Sequence, residues 1–489
     1  MEGINIFDEL QFPKKLRMSE KSFLSNLVKD SAIYGITKYV SVIAAIFLTP
    51  IYTRIIPRFD YGIMDVFNVW IAFCALLIPL GMIEAMPRLW VDIHENTDTK
   101  KRIIGSYNLL LLIGIVVFLG VSLLGKTTFE KVILGSENYE TVYYLCVSLI
   151  VFQILNNQQL TYFRLGFRRL AYTAVSLGNF FILTVLGFSL VYFKKMSIEG
   201  FFWASFFAFL FSLIVSIPLN RSFILLSFHK KTIVEIVRYS LPLLYVILFF
   251  SVSEVLDRYI IKRFLSTEHI GLYSVAARIA SIPLFFTSSF ATAWFPRIFS
   301  IKEDNRRKEV LIETNKLALH VFSYILFTVV LFRKELIFFF APDYFDALNV
   351  VLILSLANVI NGLGPIYAVG IHLKKTSGDF VKAAFISIPV NIVLSVLLVR
   401  EFGIEGVAFG SLFGAFLWTF LRYRMGQKRL EIEFNFHPVI YLVIFLIFAT
   451  LLSQYLDLSL WVFLSKLAIG ILLMAWLWHS LKHNKNELV

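Results

Sequence analysis

Apolar residues fill this chain in runs of about twenty, parted by short segments rich in Lys, Arg, Gly and Pro. At 1.5 Å rise per residue a helix of that length crosses the roughly 30 Å hydrocarbon core of a bilayer. Fourteen such helices are expected, near 31–53, 65–86, 103–124, 141–163, 171–193, 199–219, 236–257, 270–294, 315–333, 347–372, 380–399, 404–421, 438–455 and 460–480. The first thirty residues are polar and basic and read as a cytoplasmic leader, with Met18 as an alternative start. Placing the N-terminus inside puts roughly two thirds of the 46 Lys and Arg on the cytoplasmic side, as the positive-inside rule requires. Both termini are then cytoplasmic. The expected fold is an all-α polytopic membrane protein.

The pattern repeats. YTRIIPRFDYG ends at Gly62, and Pro87–Arg88 follow 25 and 26 residues later; IIKRFLSTEHIG ends at Gly271, and Pro296–Arg297 follow at the same spacing. The shift of 209 also lays Val28, Ser31, Ile51 and Arg54 on Val237, Ser240, Ile260 and Arg263. SIEG at 197–200 returns as GIEG at 403–406. Two copies of six helices follow, plus two helices at the end. Because six is even, both copies enter the membrane the same way up, so their pseudo-two-fold runs along the membrane normal, as in transporters built from parallel repeats. The expected organisation is a leader (1–30), an N-lobe (31–220), a C-lobe (221–425) and a terminal helix pair with its tail (426–489). Pro87 and Pro296 are expected to end the second and eighth spans, since proline interrupts a helix.

Composition narrows the class further. The chain of 489 residues is 58% hydrophobic and only 16% charged, with a mean hydropathy of +0.76, whereas soluble domains carry about 25% charge. The net charge of +13 is scattered over loops and tails, which makes it a topology signal and not a nucleic-acid footprint. Cys74 and Cys146 fall in apolar spans and read as small buried side chains. No metal-ligand spacing, nucleophile motif or phosphate-cradling glycine loop stands out, and His320, the one histidine inside a span, carries no catalytic reading. No enzymatic activity and no cofactor are expected.

Charges inside the spans do not follow the repeat: Lys38 falls on Ile247, Glu254 on Ala45, Asp257 on Leu48, Arg278 on Val69 and Glu84 on Ala293. A duplicated scaffold with unduplicated buried charges points to function, since such charges are costly in hydrocarbon and face protein or water. Lys38 and Arg278 lie about 10 and 12 Å deep at the helical rise. They are expected to line a cavity, with snorkelling to the interface as the alternative. Glu254 and Asp257 beside Arg258 read equally as a local ion pair or as charge-balancing or coupling acids, and Glu84 as a partner for Lys38. Lys466 can reach the outer interface.

The fourth span holds five amides in QILNNQQL. At 100° per residue, Gln153, Asn156, Asn157, Thr161 and Arg164 share an arc of about 140°, while Gln158 and Gln159 point elsewhere. That stripe, ending in arginine, is expected to line a wet cavity; interhelical hydrogen bonding is the alternative. Asn358 and Asn361, in NVINGLGP, read the same way, with a bend expected at Gly362, Gly364 and Pro365. Amides match the hydroxyls of carbohydrate, and arginine matches phosphate. A cavity with both fits a glycan on a phosphorylated lipid. Coupling to H+ or Na+ is allowed but not required, because a 100 mV potential already favours outward movement of two negative charges by about 4.6 kcal/mol.

SEVLDRYIIKRFLSTEHIGLYSVAARIA (253–280), LVKDSAIYG with TPIYTRIIPRFDYGIMDVFN (27–68) and NIVLSVLLVREFGIEGVAFGSLFGAF (391–416) resemble polysaccharide flippases of the Wzx type. These belong to the multidrug/oligosaccharidyl-lipid/polysaccharide exporter superfamily. The resemblance implies translocation of undecaprenyl-pyrophosphate-linked repeat units for O-antigen, capsule or exopolysaccharide across a prokaryotic cytoplasmic membrane. It implies two lobes around a basic cavity, and by position it adds Arg54 and Arg258 to Lys38 and Arg278 as cavity cations. It also implies membrane lipid, a polysaccharide polymerase and a chain-length regulator as partners. A drug antiporter of the same superfamily calls for an acidic cavity, a membrane polymerase calls for a large external loop, and a scaffold leaves the amides unexplained.

Overall fold

A computed structural model describes residues 48–486, apart from 93–96, 130–138, 167, 302, 341, 375, 377, 438 and 456–458. The leader, most of the first expected span and Lys38 therefore lie outside the described residues. Those described are mostly helical, with short connecting segments and no strand, as expected where backbone polar groups cannot turn to water. The chain divides into two compact units, Met1–Val255 and Leu256–Val489.

In the first unit the helices longer than ten residues are α1 (Arg58–Leu77), α2 (Met82–Asp92), α3 (Thr97–Phe129), α4 (Glu140–Leu165), α5 (Arg169–Phe188), α6 (Ser197–Leu219) and α7 (Lys230–Phe264), on which the division falls. The second unit contains α8 (Thr267–Ala280), α9 (Ile282–Ser300), α10 (Asp304–Leu331), α11 (Leu348–Tyr367), α12 (Gly378–Arg429), α13 (Val439–Tyr455) and α14 (Leu460–Asn486). Among the described residues seven helices are long and apolar enough to cross a membrane, or eight with the α8–α9 pair counted as one span. α4 is absent from the seven despite its 26 residues, because its amides depress its hydropathy.

Three features differ from the sequence expectations. The second span is broken: α1 ends at Leu77, and Leu80 and Gly81 take φ of 52° and 72° before α2 begins. A Cβ on Gly81 would sit 2.7 Å from the Ser240 carbonyl oxygen of α7, so glycine answers both to the left-handed backbone and to this close approach. The eighth span is likewise bent by 40° at Ser281. Finally, neither Pro87 nor Pro296 ends its helix; α2 continues to Asp92 and α9 to Ser300. Each proline removes one backbone bond, and a helix packed in a membrane protein accommodates that loss.

Gly403 separates the eleventh and twelfth expected spans as a single residue at φ 58° inside the 52-residue α12. Its repeat counterpart Ser197 also has positive φ, 44°, and opens α6. The serine hydroxyl donates to Asp60 Oδ2 of α1 at 2.9 Å, a tertiary bond that offsets the strain.

The first unit packs Met82, Met86, Trp90, Tyr107, Tyr162 and Phe223 into one apolar cluster, with Tyr162 stacked on Phe223 at 4.9 Å. In the second unit the larger core gathers Trp294, Phe322, Phe327, Val359, Ile366 and Tyr367. α14 is tied to this core by Tyr324, whose hydroxyl donates to the Gly470 carbonyl at 3.1 Å. Lys466 is buried completely and pairs with Glu335 at 2.6 Å, so it reaches a carboxylate and not the interface. Elsewhere the helices leave apolar side chains outward, including Val116, Val117, Val121 and Leu124 of α3, a surface suited to lipid.

Candidate functional site: a cationic cavity at the broken helix

α4 sorts its polar residues by their position around the helix. Asn156 is buried and accepts a hydrogen bond from Ser212 of α6 through its Oδ1. Gln159 is also buried and receives Asn220 Nδ2 at both its side-chain oxygen (3.0 Å) and its carbonyl (3.2 Å). Gln158 donates to Asn108 Oδ1 at 2.7 Å and to the Tyr162 hydroxyl at 3.1 Å. Asn108 in turn donates to the carbonyls of Phe223 and Leu225, both at 2.8 Å, and so holds the segment that leads into α7. These side chains join helices. Asn156, expected on the cavity face, instead belongs to the α4–α6 seam, because the hydroxyl of Ser212 stands opposite it. Gln158 and Gln159, expected to point away from that face, are buried against Asn108, Tyr162 and Asn220.

Two α4 polar groups, Asn157 and Arg164, face open space. Asn157 and Arg164 line a cavity of about 210 Å³ with Leu160, Tyr172 of α5, and Ala75, Leu76, Pro79, Gly81 and Ile83 from the broken second span. Arg164 is exposed, and its Nη2 donates to Thr161 Oγ1 at 2.9 Å. Thr161 itself donates to the Asn157 carbonyl at 2.9 Å, which fixes the guanidinium one turn from the amide. No carboxylate pairs with Arg164 among the described residues. A liquid water occupies about 30 Å³, so the space admits several waters or one phosphate group with part of a sugar.

The other expected site residues are spread over both units. Gln153 is half-buried on α4 and Arg54 is exposed in the helix at 48–55. Glu84 lies in α2, with its side chain outside the described residues. In the second unit Asp257 is buried and accepts the Tyr273 hydroxyl at 2.9 Å and Ser411 Oγ at 3.0 Å. Arg258 lies 5.4 Å from the Tyr273 ring centroid, and Glu254 is exposed. Arg278 is half-buried in the last turn of α8, where the Ser281 hydroxyl caps its carbonyl at 2.7 Å. Asn358 donates to the Ala280 carbonyl at 2.7 Å, so it closes the α8–α9 break and is not turned into a cavity. The Asn361 Oδ1 is buried without a partner among the described residues. Tyr172, Asn108 and the break at Leu80–Gly81 went unforeseen. A lone amide in SYNLLLL is a signal for Asn108; Leu80 gives none.

Residues 27–302, more than half of the chain, match the family model for polysaccharide biosynthesis proteins. The chain belongs to that family. A probable low-salt glycan biosynthesis flippase of Haloferax volcanii, Agl15, is 25% identical over 190 residues, which are 38% of this chain and 40% of that protein. The match thus spans less than half of the relative's length. Among solved structures, the lipid II flippase MurJ in an inward closed conformation superposes with a TM-score of 0.73 at 17% identity, covering 94% of this chain and 100% of the other. An inward-facing multidrug resistance transporter of the MATE family and MOP superfamily gives 0.64 at 13% identity, covering 80% and 94%. At such identities the likeness shows the fold: this family member shares the all-α, polytopic architecture of those transporters. Each relative named is a flippase or a transporter.

Proposed function

We propose that this member of the polysaccharide biosynthesis family is a flippase for lipid-linked oligosaccharide, carrying undecaprenyl-pyrophosphate-linked repeat units from the cytoplasmic to the outer leaflet of a prokaryotic cytoplasmic membrane. Both termini are cytoplasmic in this reading, and access alternates between the two sides. The observation that carries it is the Arg164 cavity, in which a guanidinium with no carboxylate partner among the described residues, an amide and a phenol meet beside a broken helix. Arginine holds phosphate through its fork, the amide and phenol serve sugar hydroxyls, and the lipid tail stays in the bilayer. The named relatives supply the general direction, as a glycan biosynthesis flippase and a lipid II flippase. The cytoplasmic end of α4 is where a headgroup arriving from the inner leaflet would first meet a cation.

The test is depletion of the protein in its native host, followed by mass spectrometry of the lipid-linked saccharides. Build-up of a complete repeat unit on undecaprenyl pyrophosphate supports the proposal. An unchanged lipid pool in a host that is making the polymer overturns it in favour of a drug exporter, the activity named for the MATE relative.

A further inference from the structure

The second unit carries a cation built on the same local plan as Arg164 but closed from view. TYFR at 161–164 and TFLR at 419–422 share a threonine three residues before an arginine. In each the guanidinium Nη2 donates to that threonine's Oγ1, at 2.9 Å for Arg164 and 3.3 Å for Arg422. The two motifs stand 258 residues apart, not 206 or 209, so they are not counterparts in the internal repeat.

Arg422 is 7% exposed. Its guanidinium carbon lies 4.6 Å from the Trp418 ring centroid, and its edge rests in a notch made by Gly364 of α11. A Cβ there would stand 1.9 Å from Nη2 and 2.2 Å from the guanidinium carbon. Thr419 donates to the Ile360 carbonyl at 3.2 Å and fixes the notch from the α12 side. Nε is buried without a hydrogen-bond partner, and no carboxylate pairs with Arg422 among the described residues. The buried carboxylate of Asp379 is already held by Arg429, at 3.1 and 3.2 Å. Arg424 and Lys428, further along α12, are exposed and add positive charge at this end.

A charged group taken out of water without a counter-charge is costly, and aromatic stacking recovers only part of that cost. A fork-shaped donor held flat by a ring on one side and a glycine notch on the other is shaped for a planar or tetrahedral oxyanion. We infer that Arg422 forms a second anion site, which takes a phosphate or diphosphate group when α11 draws away from the guanidinium at Gly364. The inference relies on the proposed function for its ligand class; its location rests on Arg422 alone.

The experiment uses the full chain in phosphatidylcholine nanodiscs and reads Trp418 emission as the difference between the parent protein and Trp418→Phe. One arm adds inorganic pyrophosphate, the other builds undecaprenyl diphosphate into the disc. The expected result is a saturable change in Trp418 emission that Arg422→Gln abolishes and Arg164→Gln leaves in place. A response in the lipid arm alone identifies a lipid headgroup, and a response in both arms identifies free phosphate chemistry as sufficient. Silence of Trp418 in both arms, or an unchanged response in folded Arg422→Gln, overturns the inference. Should Arg422→Gln fail to fold, Arg422→Lys keeps the charge and loses the fork. At least tenfold weaker binding is then expected, and parental affinity overturns the site. A Trp418 response that persists when Arg164→Gln leaves transport intact separates failure of the proposed function from failure of this site.

Discussion

Two helix seams, α4–α6 in the first unit and α11–α12 in the second, answer the same packing problem with different chemistry. α4 and α6 are joined by amide and hydroxyl bonds, Asn156 with Ser212 and Gln159 with Asn220. α11 and α12 are joined by missing side chains: a Cβ on Gly426 of α12 would run into the Tyr367 carbonyl oxygen at the end of α11, and one on Gly364 of α11 into the Arg422 guanidinium. Amides hold helices apart at side-chain length and leave room beside the seam, where Arg164 stays open. Glycines let the backbones touch, and Arg422 is shut in. The same threonine–arginine clip therefore yields an accessible cation in one unit and a buried one in the other.

The sharpest way to break this contrast is to crowd the glycine seam. Gly364→Ala places a methyl group against the Arg422 guanidinium, and overpacking of this kind costs about 3 kcal/mol. A fall of several degrees in the melting temperature of the detergent-solubilised protein is expected; an unchanged melting temperature would mean that α11 and α12 do not meet as described. Next in size is Arg164→Gln, which removes a charge-assisted contact of about 1.5–3 kcal/mol. Transport of lipid-linked saccharide should fall about 10- to 100-fold with little change in melting temperature, because the side chain is exposed. A drop in stability without loss of transport would make Arg164 a seam residue after all.

Smaller effects sharpen the picture. A double-mutant cycle on Asn156→Ala and Ser212→Ala should give a coupling of about 0.6–1.7 kcal/mol, read from thermal stability. Zero coupling would return Asn156 to the cavity. Ser197→Ala loses the bond to Asp60 but keeps the strained backbone, so it should destabilise by about 1 kcal/mol. Ser197→Gly loses the bond and relieves the strain, and should stay close to the parent. A larger loss for glycine than for alanine would exclude strain at this turn.

Much of this was legible in the sequence. The helical, membrane-spanning architecture follows from apolar runs of bilayer length, and the 206-residue repeat marks the turn at Gly403 inside α12. Arg164 and Asn157 were found because the polar face of α4 ends in a cation. What failed was the division of amides between seam and cavity: helical phase tells which residues share a face, not what stands opposite. Ser212 and Asn220 decide that, and their positions are tertiary. Leu80 was illegible for another reason, since a leucine at φ 52° contradicts local preference and is imposed by its surroundings. Arg422 lies one residue beyond the expected end of its span, where a cation reads as a loop charge.

The paired turns at Ser197 and Gly403 bear on how this chain came to be two similar halves. Both hold a left-handed residue at the start of the closing helix of a repeat, yet only one is the residue that such a backbone favours. The sign of φ is shared at this position while the residue differs. Backbone angles therefore pair these two positions where the residue letters do not.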